Sequence, residues 1–192
     1  MSKTNKKVSI FSYYGPYRGL LALDLFFATL GASVTLAMPL IVRYITGTVI
    51  YEESGAAWQT IVRLSVLMLV LLLVELGCNF YITYWGHLMG ARMEYGMRND
   101  IFGHYQKLAF TFYDNQKVGQ LMSRVTNDLF DITELLHHGP EDIIISLIKI
   151  VGALVILGHI NMRLTILTAC FLPFILAFAL YLNKRMKRGF KQ

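Results

Sequence analysis

Four long apolar stretches dominate this chain, running roughly Leu20–Val42, Ile61–Leu88, Ile143–Ile160 and Leu164–Leu182. A bilayer core of about 30 Å needs about 20 apolar helical residues to cross it, so each stretch has the length of a membrane span. The expected fold is therefore an all-α membrane protein with four transmembrane helices. The composition agrees: 55% apolar residues, 16% charged residues and a mean hydropathy of +0.50 lie outside the range of an ordinary soluble domain. A secretory signal does not fit, because the first apolar run starts late, is too long for an h-region and lacks a small-x-small cleavage site. Cys78 and Cys170 both fall inside apolar runs, where neither a disulfide framework nor a metal-binding spacing can be assembled.

The net charge of +6 acquires its meaning from where the basic residues stand. Of the 18 Lys and Arg, fourteen lie on one side of the expected spans: Lys3, Lys6, Lys7 and Arg18 before the first, five from Arg92 to Arg124, and five after Leu182. Arg43, Arg63 and Arg163 mark the opposite span ends, and Lys149 lies within the third span. The positive-inside rule then places both termini in the cytosol, and the basic residues read as topology rather than as a nucleic-acid surface. The outer connections are a short acidic loop around Glu52 and Glu53 and a tight turn at Asn161–Arg163.

Between the second and third spans, residues 89–142 keep a helical spacing of apolar residues instead of scattering them. Met93, Met97, Ile101, Tyr105 and Leu108 form one stripe; Leu121, Val125, Leu129, Ile132 and Leu136 form a second, with Arg124, Asp128, Asp131 and Glu134 on other faces. Run as one helix from Ile61 to Leu108 at about 1.5 Å per residue, the second span would be about 70 Å long and would project far into the cytosol. Gly90, Gly96 and Gly103 argue for some irregularity along it. Between the stripes, Phe112–Val118 reads FYDNQKV, with Asp114, Asn115 and Gly119 as turn formers around Phe112 and Tyr113. Those two aromatics either project as a docking knob or tuck back against the helices.

Phe112–Asp128, FYDNQKVGQLMSRVTND, resembles the first cytosolic loop of ABC exporters: an aromatic pair, a polar turn, Gly-Gln, then Ser-Arg-x-x-Asn-Asp, placed between spans two and three. The resemblance extends along the chain. YYGPYR at Tyr13–Arg18 is similar to the family's entry to helix one, NMRLT at Asn161–Thr165 to its turn before helix four, and Pro173 stands where the fourth helix commonly carries a proline. The resemblance implies the first four helices of an ABC exporter transmembrane domain, with long cytosolic helical extensions. It implies that Phe112, Tyr113, Asp114, Asn115, Gln116, Lys117 and Val118 form a coupling helix seated on the ATPase domains, supported by Gly119, Arg124, Asn127 and Asp128. ATP-driven closure of those domains would move the tip and open the membrane cavity outward. A plasma-membrane location and a dimer with a second transmembrane half belong to the same implication.

No G-x-x-x-x-G-K-[ST] phosphate loop is present, so the chain has nothing to cradle ATP phosphates. By resemblance, ATP and Mg belong to a missing or partner ATPase domain, and the chain, ending just beyond helix four, covers about half of a transmembrane domain. No cofactor, metal or nucleic acid is expected on the chain itself. Asp24, within about 6 Å of the inner end of span one, reads as hydrated at the interface. Glu75 and Lys149 lie about 21 Å and about 17 Å below the outer span ends, close enough in depth to pair or to line a polar patch in the cavity. His137 and His138 read as interface histidines, without further metal ligands at suitable spacing. Pro140 is expected to kink or restart helix three. Two other readings compete. A haem- or metal-using membrane enzyme would draw on His87, His104, His137, His138 and His159, which do not converge at one depth. A non-catalytic membrane scaffold or degenerate fragment would use the hairpin to bind a protein.

Overall fold

The computed structural model describes residues 10–51, 56–114 and 116–189. Lys3, Lys6, Lys7, Glu52, Glu53, Asn115, Lys191 and Gln192 thus lie outside the described residues. Every regular element among the described residues is helical. A 3-10 segment, Ile10–Tyr17, leads into α1 (Arg18–Gly47), and a 3-10 turn at Val49–Tyr51 precedes α2 (Ala56–Tyr81). A π-helical segment, Ile82–Gly86, joins α2 to α3 (His87–Tyr105) without a break. After α4 (Phe110–Asp114) and α5 (Val118–Ser123), a second π segment, Arg124–Asp128, runs into α6 (Leu129–Ile160), and α7 (Met162–Gly189) follows. Four helical runs are long and apolar enough to cross a membrane, matching the four expected spans.

The expected long helix is present: residues 56–105 are helical throughout, about 75 Å at about 1.5 Å per residue. Its irregularity falls at Ile82–Gly86 rather than at Gly90, Gly96 or Gly103. The second π segment explains why one expected core residue is displaced. Leu121, Val125, Leu129 and Leu136 are buried, but Ile132 is 38% exposed and Thr133 takes the inward place. Burial at 121, 125, 129 and 133 has a period of four residues, longer than the 3.6 of an α-helix. The wider turn of the π segment absorbs that difference and keeps the stripe facing inward. Pro140 lies inside α6 without ending it, so the helix does not restart there.

The described residues fall into two compact units that divide between Ser146 and Leu147, within α6. In the first, Met89, Met93 and Met97 of α3 pack against Leu129 and Leu136 of α6. Tyr13, Tyr14, Tyr17, Leu20 and Leu21 close over this core, with Ile101 at its edge. The flexible thioethers fill the irregular space between aromatic rings, as methionine does well. The Tyr13 hydroxyl donates to Asp100 Oδ2 at 2.6 Å, and the Tyr14 hydroxyl donates to the Leu136 carbonyl. Along the spans, α1 meets α2 through buried Ala28, Gly31 and Ala32, small residues that let helix backbones approach closely in a membrane. A Cβ built on Gly31 would stand 3.5 Å from the Cys78 Cβ. In the second unit, Asn161 Oδ1 accepts hydrogen bonds from the backbone N–H of Arg163 and Leu164 at 3.1 and 3.3 Å, capping α7 at the expected tight turn. Leu164, Phe171, Phe174 and Phe178 are exposed along α7, the pattern of a helix whose surroundings are apolar.

Candidate functional site

Two places in the first unit carry polar chemistry: the tip of the hairpin and a buried cluster where the hairpin meets the spans.

At the tip, α3 ends at Tyr105 and the chain turns through residues 106–109 into the single turn of α4. Phe112 and Tyr113 are half-buried, and the Tyr113 hydroxyl donates to the Tyr105 carbonyl at 2.5 Å. They tuck back rather than project. The exposed aromatic is Phe110, 89% accessible, which the sequence reading passed over because it lies ahead of the recognised segment. Asp114, Gln116, Lys117 and Val118 are exposed, and Lys117, with extended backbone, starts α5. Of the segment expected to be one short helix, residues 112–114 belong to α4 and Val118 to α5, with Gln116 and Lys117 in neither helix. Gly119 has open space where a Cβ would stand. Arg124, Asn127 and Asp128 are exposed on the π segment, where the Asn127 side-chain amide donates to Ser123 Oγ at 3.4 Å. Behind the tip, Phe102, Tyr105, Tyr113, Leu121, Met122 and Val125 line an apolar cleft of about 460 Å³. Arg98 braces its wall, paired with Glu94 and donating from Nε to the Val125 carbonyl at 3.4 Å.

The second place was not legible as a site. Asp24, expected to be hydrated, is 1% exposed, because residues of α6 cover it where the interface was expected to leave it open. His137 and Glu141, one turn apart on α6, are 1% and 7% exposed. Ligand-capable atoms of Asp24, His137 and Glu141 all lie within 4.8 Å of one another, and so do those of His87, His137 and His138. Three of the five histidines, His87, His137 and His138, thus meet, while His104 and His159 do not join them among the described residues, as expected of the five together. Gly86, at the end of the π segment, and Gly90 make room for one of the three. A Cβ on Gly86 would stand 2.0 Å from His137 Cε1, and one on Gly90 would stand 3.6 Å from His137 Cβ, so a G-x-x-x-G slot in the second long helix receives the imidazole. The His137 and His138 ring centroids are 4.4 Å apart, and each lies 5.2 Å from His87. His138 also approaches Glu134 at 3.5 Å and Glu141 at 3.8 Å.

Nearer the start of the chain, burial and then the hydrogen-bonded Asp100 carboxylate push the Tyr13 hydroxyl up to about 12. In the α1–α2 interface, Thr35 Oγ1 lies 2.8 Å from Glu75 Oε1 and 3.0 Å from the Gly31 carbonyl, its single proton serving one of them at a time. Lys149, the expected counterpart of Glu75, belongs to the second unit.

These helices and this tip have a counterpart among known proteins. A family model described as the ABC transporter transmembrane region matches residues 21–192, and the chain belongs to that family. It is 42% identical over 180 residues to YwjA of Bacillus subtilis (strain 168), named an uncharacterized ABC transporter ATP-binding protein; the match covers 94% of this chain and 31% of YwjA. YknU of the same organism, similarly named, is 29% identical over 93% of this chain and 30% of its own length. YgaD, also of that organism and provisionally named a multidrug export ATP-binding/permease protein, is 23% identical over 82% of this chain and 28% of its own length. The chain spans about a third of the length of these relatives. It is a multi-pass membrane protein of the ABC transporter class.

Proposed function

We propose that this chain is the first part of the membrane domain of an ATP-driven exporter. In this reading residues 110–118 transmit the motion of ATP-binding domains to the spans. The observation that carries it is the tip itself: exposed Phe110, Asp114, Gln116, Lys117 and Val118 stand at the end of two long helices that continue into spans two and three. A helix end seated in a partner's groove transmits rigid-body displacement along stiff helices, which is what an ATP-coupled lever requires. The name of YgaD, which joins ATP-binding and permease functions, supports the same reading.

The basic bias of the hairpin and the chain ends favours both termini and the tip in the cytosol, with the chain in the plasma membrane. ATP and Mg would bind to the ATP-binding domains, and a second transmembrane half would complete the enclosed pathway. Glu75→Gln and Lys149→Met should each impair folding or transport, because an intramembrane charge is costly unless it has a role; wild-type activity and yield in both would remove that role.

The test is a cysteine placed at Lys117 in the assembled transporter. A bifunctional reagent should join it to the ATP-binding domain, and with higher yield when ATP is bound. Cross-linking that reaches only other membrane segments would overturn the coupling role and favour the scaffold reading.

A further inference from the structure

The cluster beneath the hairpin has two carboxylates and an imidazole withdrawn from water, and none of their facing atoms is satisfied. Both Asp24 oxygens, both His137 nitrogens and Glu141 Oε2 are buried and make no hydrogen bond among the described residues. A buried carboxylate that stays ionised needs countercharge as well as donors. His138 Nδ1 stands 3.8 Å from Glu141 Oε2, beyond hydrogen-bond reach, and no Lys or Arg forms an ion pair with either carboxylate among the described residues. An ordered water can meet some of these atoms, but it brings no charge.

We propose that Asp24, His137 and Glu141 form a binding site for one divalent first-row transition-metal ion, with His138 and His87 as its approach. One divalent cation balances two carboxylates and accepts an imidazole lone pair, which satisfies charge and donor set together. The imidazole disfavours Mg and Ca, which take oxygen ligands, and favours Zn or its neighbours. Ligand atoms about 2.0–2.2 Å from zinc stand roughly 3.4 Å apart in a tetrahedron, so a trio already within 4.8 Å closes by small side-chain adjustments. His137 has two ring nitrogens and belongs to both trios, while His87 is exposed and His138 half-buried. Together they offer a stepwise path from solvent to the buried ligands. The slot at Gly86 and Gly90 fixes the His137 ring, as a ligand's surroundings must. The ion would tie α1 to α6 beside α3, holding the base of the hairpin together where any lever motion must pass.

The experiment uses this chain in detergent, purified without a polyhistidine tag, and Zn²⁺ alone as the probe. One Zn²⁺ per chain should survive gel filtration, with at least about a tenfold loss of affinity in Asp24→Asn and in Glu141→Gln. His87→Gln, at an exposed position, should lower affinity by less than tenfold. No stoichiometric zinc, or zinc that the two carboxylate variants leave unchanged, overturns the site; complete loss in His87→Gln overturns the assignment of its ligands. Should the carboxylate variants fail to fold, the unmodified chain decides the matter with Co²⁺. Visible ligand-field bands that saturate at one equivalent and disappear with excess Zn²⁺ support the site, and bands without saturation at one equivalent overturn it.

Discussion

The hairpin tip and the cluster at the hairpin base lie on the same pair of long helices and are built in opposite ways. The tip is held by its neighbours in sequence: Tyr113 bonds to Tyr105, eight residues away, and Lys117 starts the next helix, leaving Asp114, Gln116 and Lys117 exposed. The cluster gathers Asp24, His87, His137 and Glu141 from three helices and closes all of them but His87 away from water. An exposed, locally determined surface can change its partner at little cost to the fold. A buried polar cluster is costly unless it is satisfied, so its persistence points to a ligand or to a structural constraint.

The sharpest way to break this contrast is at Gly86. Gly86→Ala drives a methyl into the His137 ring, and overpacking of this kind should cost about 1–3 kcal/mol, read as a lower unfolding temperature in detergent. Gly103→Ala, where nothing lies within 4 Å of the new methyl, should instead stabilise by up to about 1 kcal/mol. Equal losses at both positions would show that the His137 slot has no special tightness.

Asp24→Asn sharpens the electrostatic side. At pH 8 and without metal, removing an uncompensated buried charge should raise stability by about 1 kcal/mol or more. A comparable loss measured by thermal unfolding would mean that Asp24 is already paired. Next comes Tyr113→Phe, which removes the bond to the Tyr105 carbonyl and should cost about 1 kcal/mol, visible as faster hydrogen exchange in α4 while the base of the hairpin is unaffected. Smallest in stability is Phe110→Ala, within about 0.5 kcal/mol because the ring is exposed. In the assembled transporter the same change should weaken the response of ATP hydrolysis to substrate; an unchanged response would remove Phe110 from the coupling surface.

The spans were legible because lipid imposes a length and an apolar composition that no other environment demands, and the four expected stretches fall inside the observed helices. The long second helix was legible for a related reason: the stripe from Met93 to Tyr105 continues the period of the span above it. Reading failed where a helix left the 3.6 period. Ile132 was assigned to the core by α-helical spacing, and the π segment at Arg124–Asp128 moved Thr133 there instead. At the tip, composition pointed to Asp114 and Gly119 as turn formers, yet they end up in α4 and α5; nor could it show that Tyr113 has a carbonyl within reach, so Phe110 was missed as the exposed ring.

Asp24 illustrates the remaining gap. Its depth along helix one could be counted from the sequence, and that count was compatible with hydration; which helix covers it could not be counted. By itself the sequence determined the number of spans and the family to which the chain belongs, because these depend on local periodicity, length and short motifs. Only the tertiary structure brought Asp24 to His137 and Glu141, 113 and 117 residues further along the chain. That meeting depends on two glycines admitting an imidazole between helices, a fit of backbone to side chain that is expressed only when the helices pack.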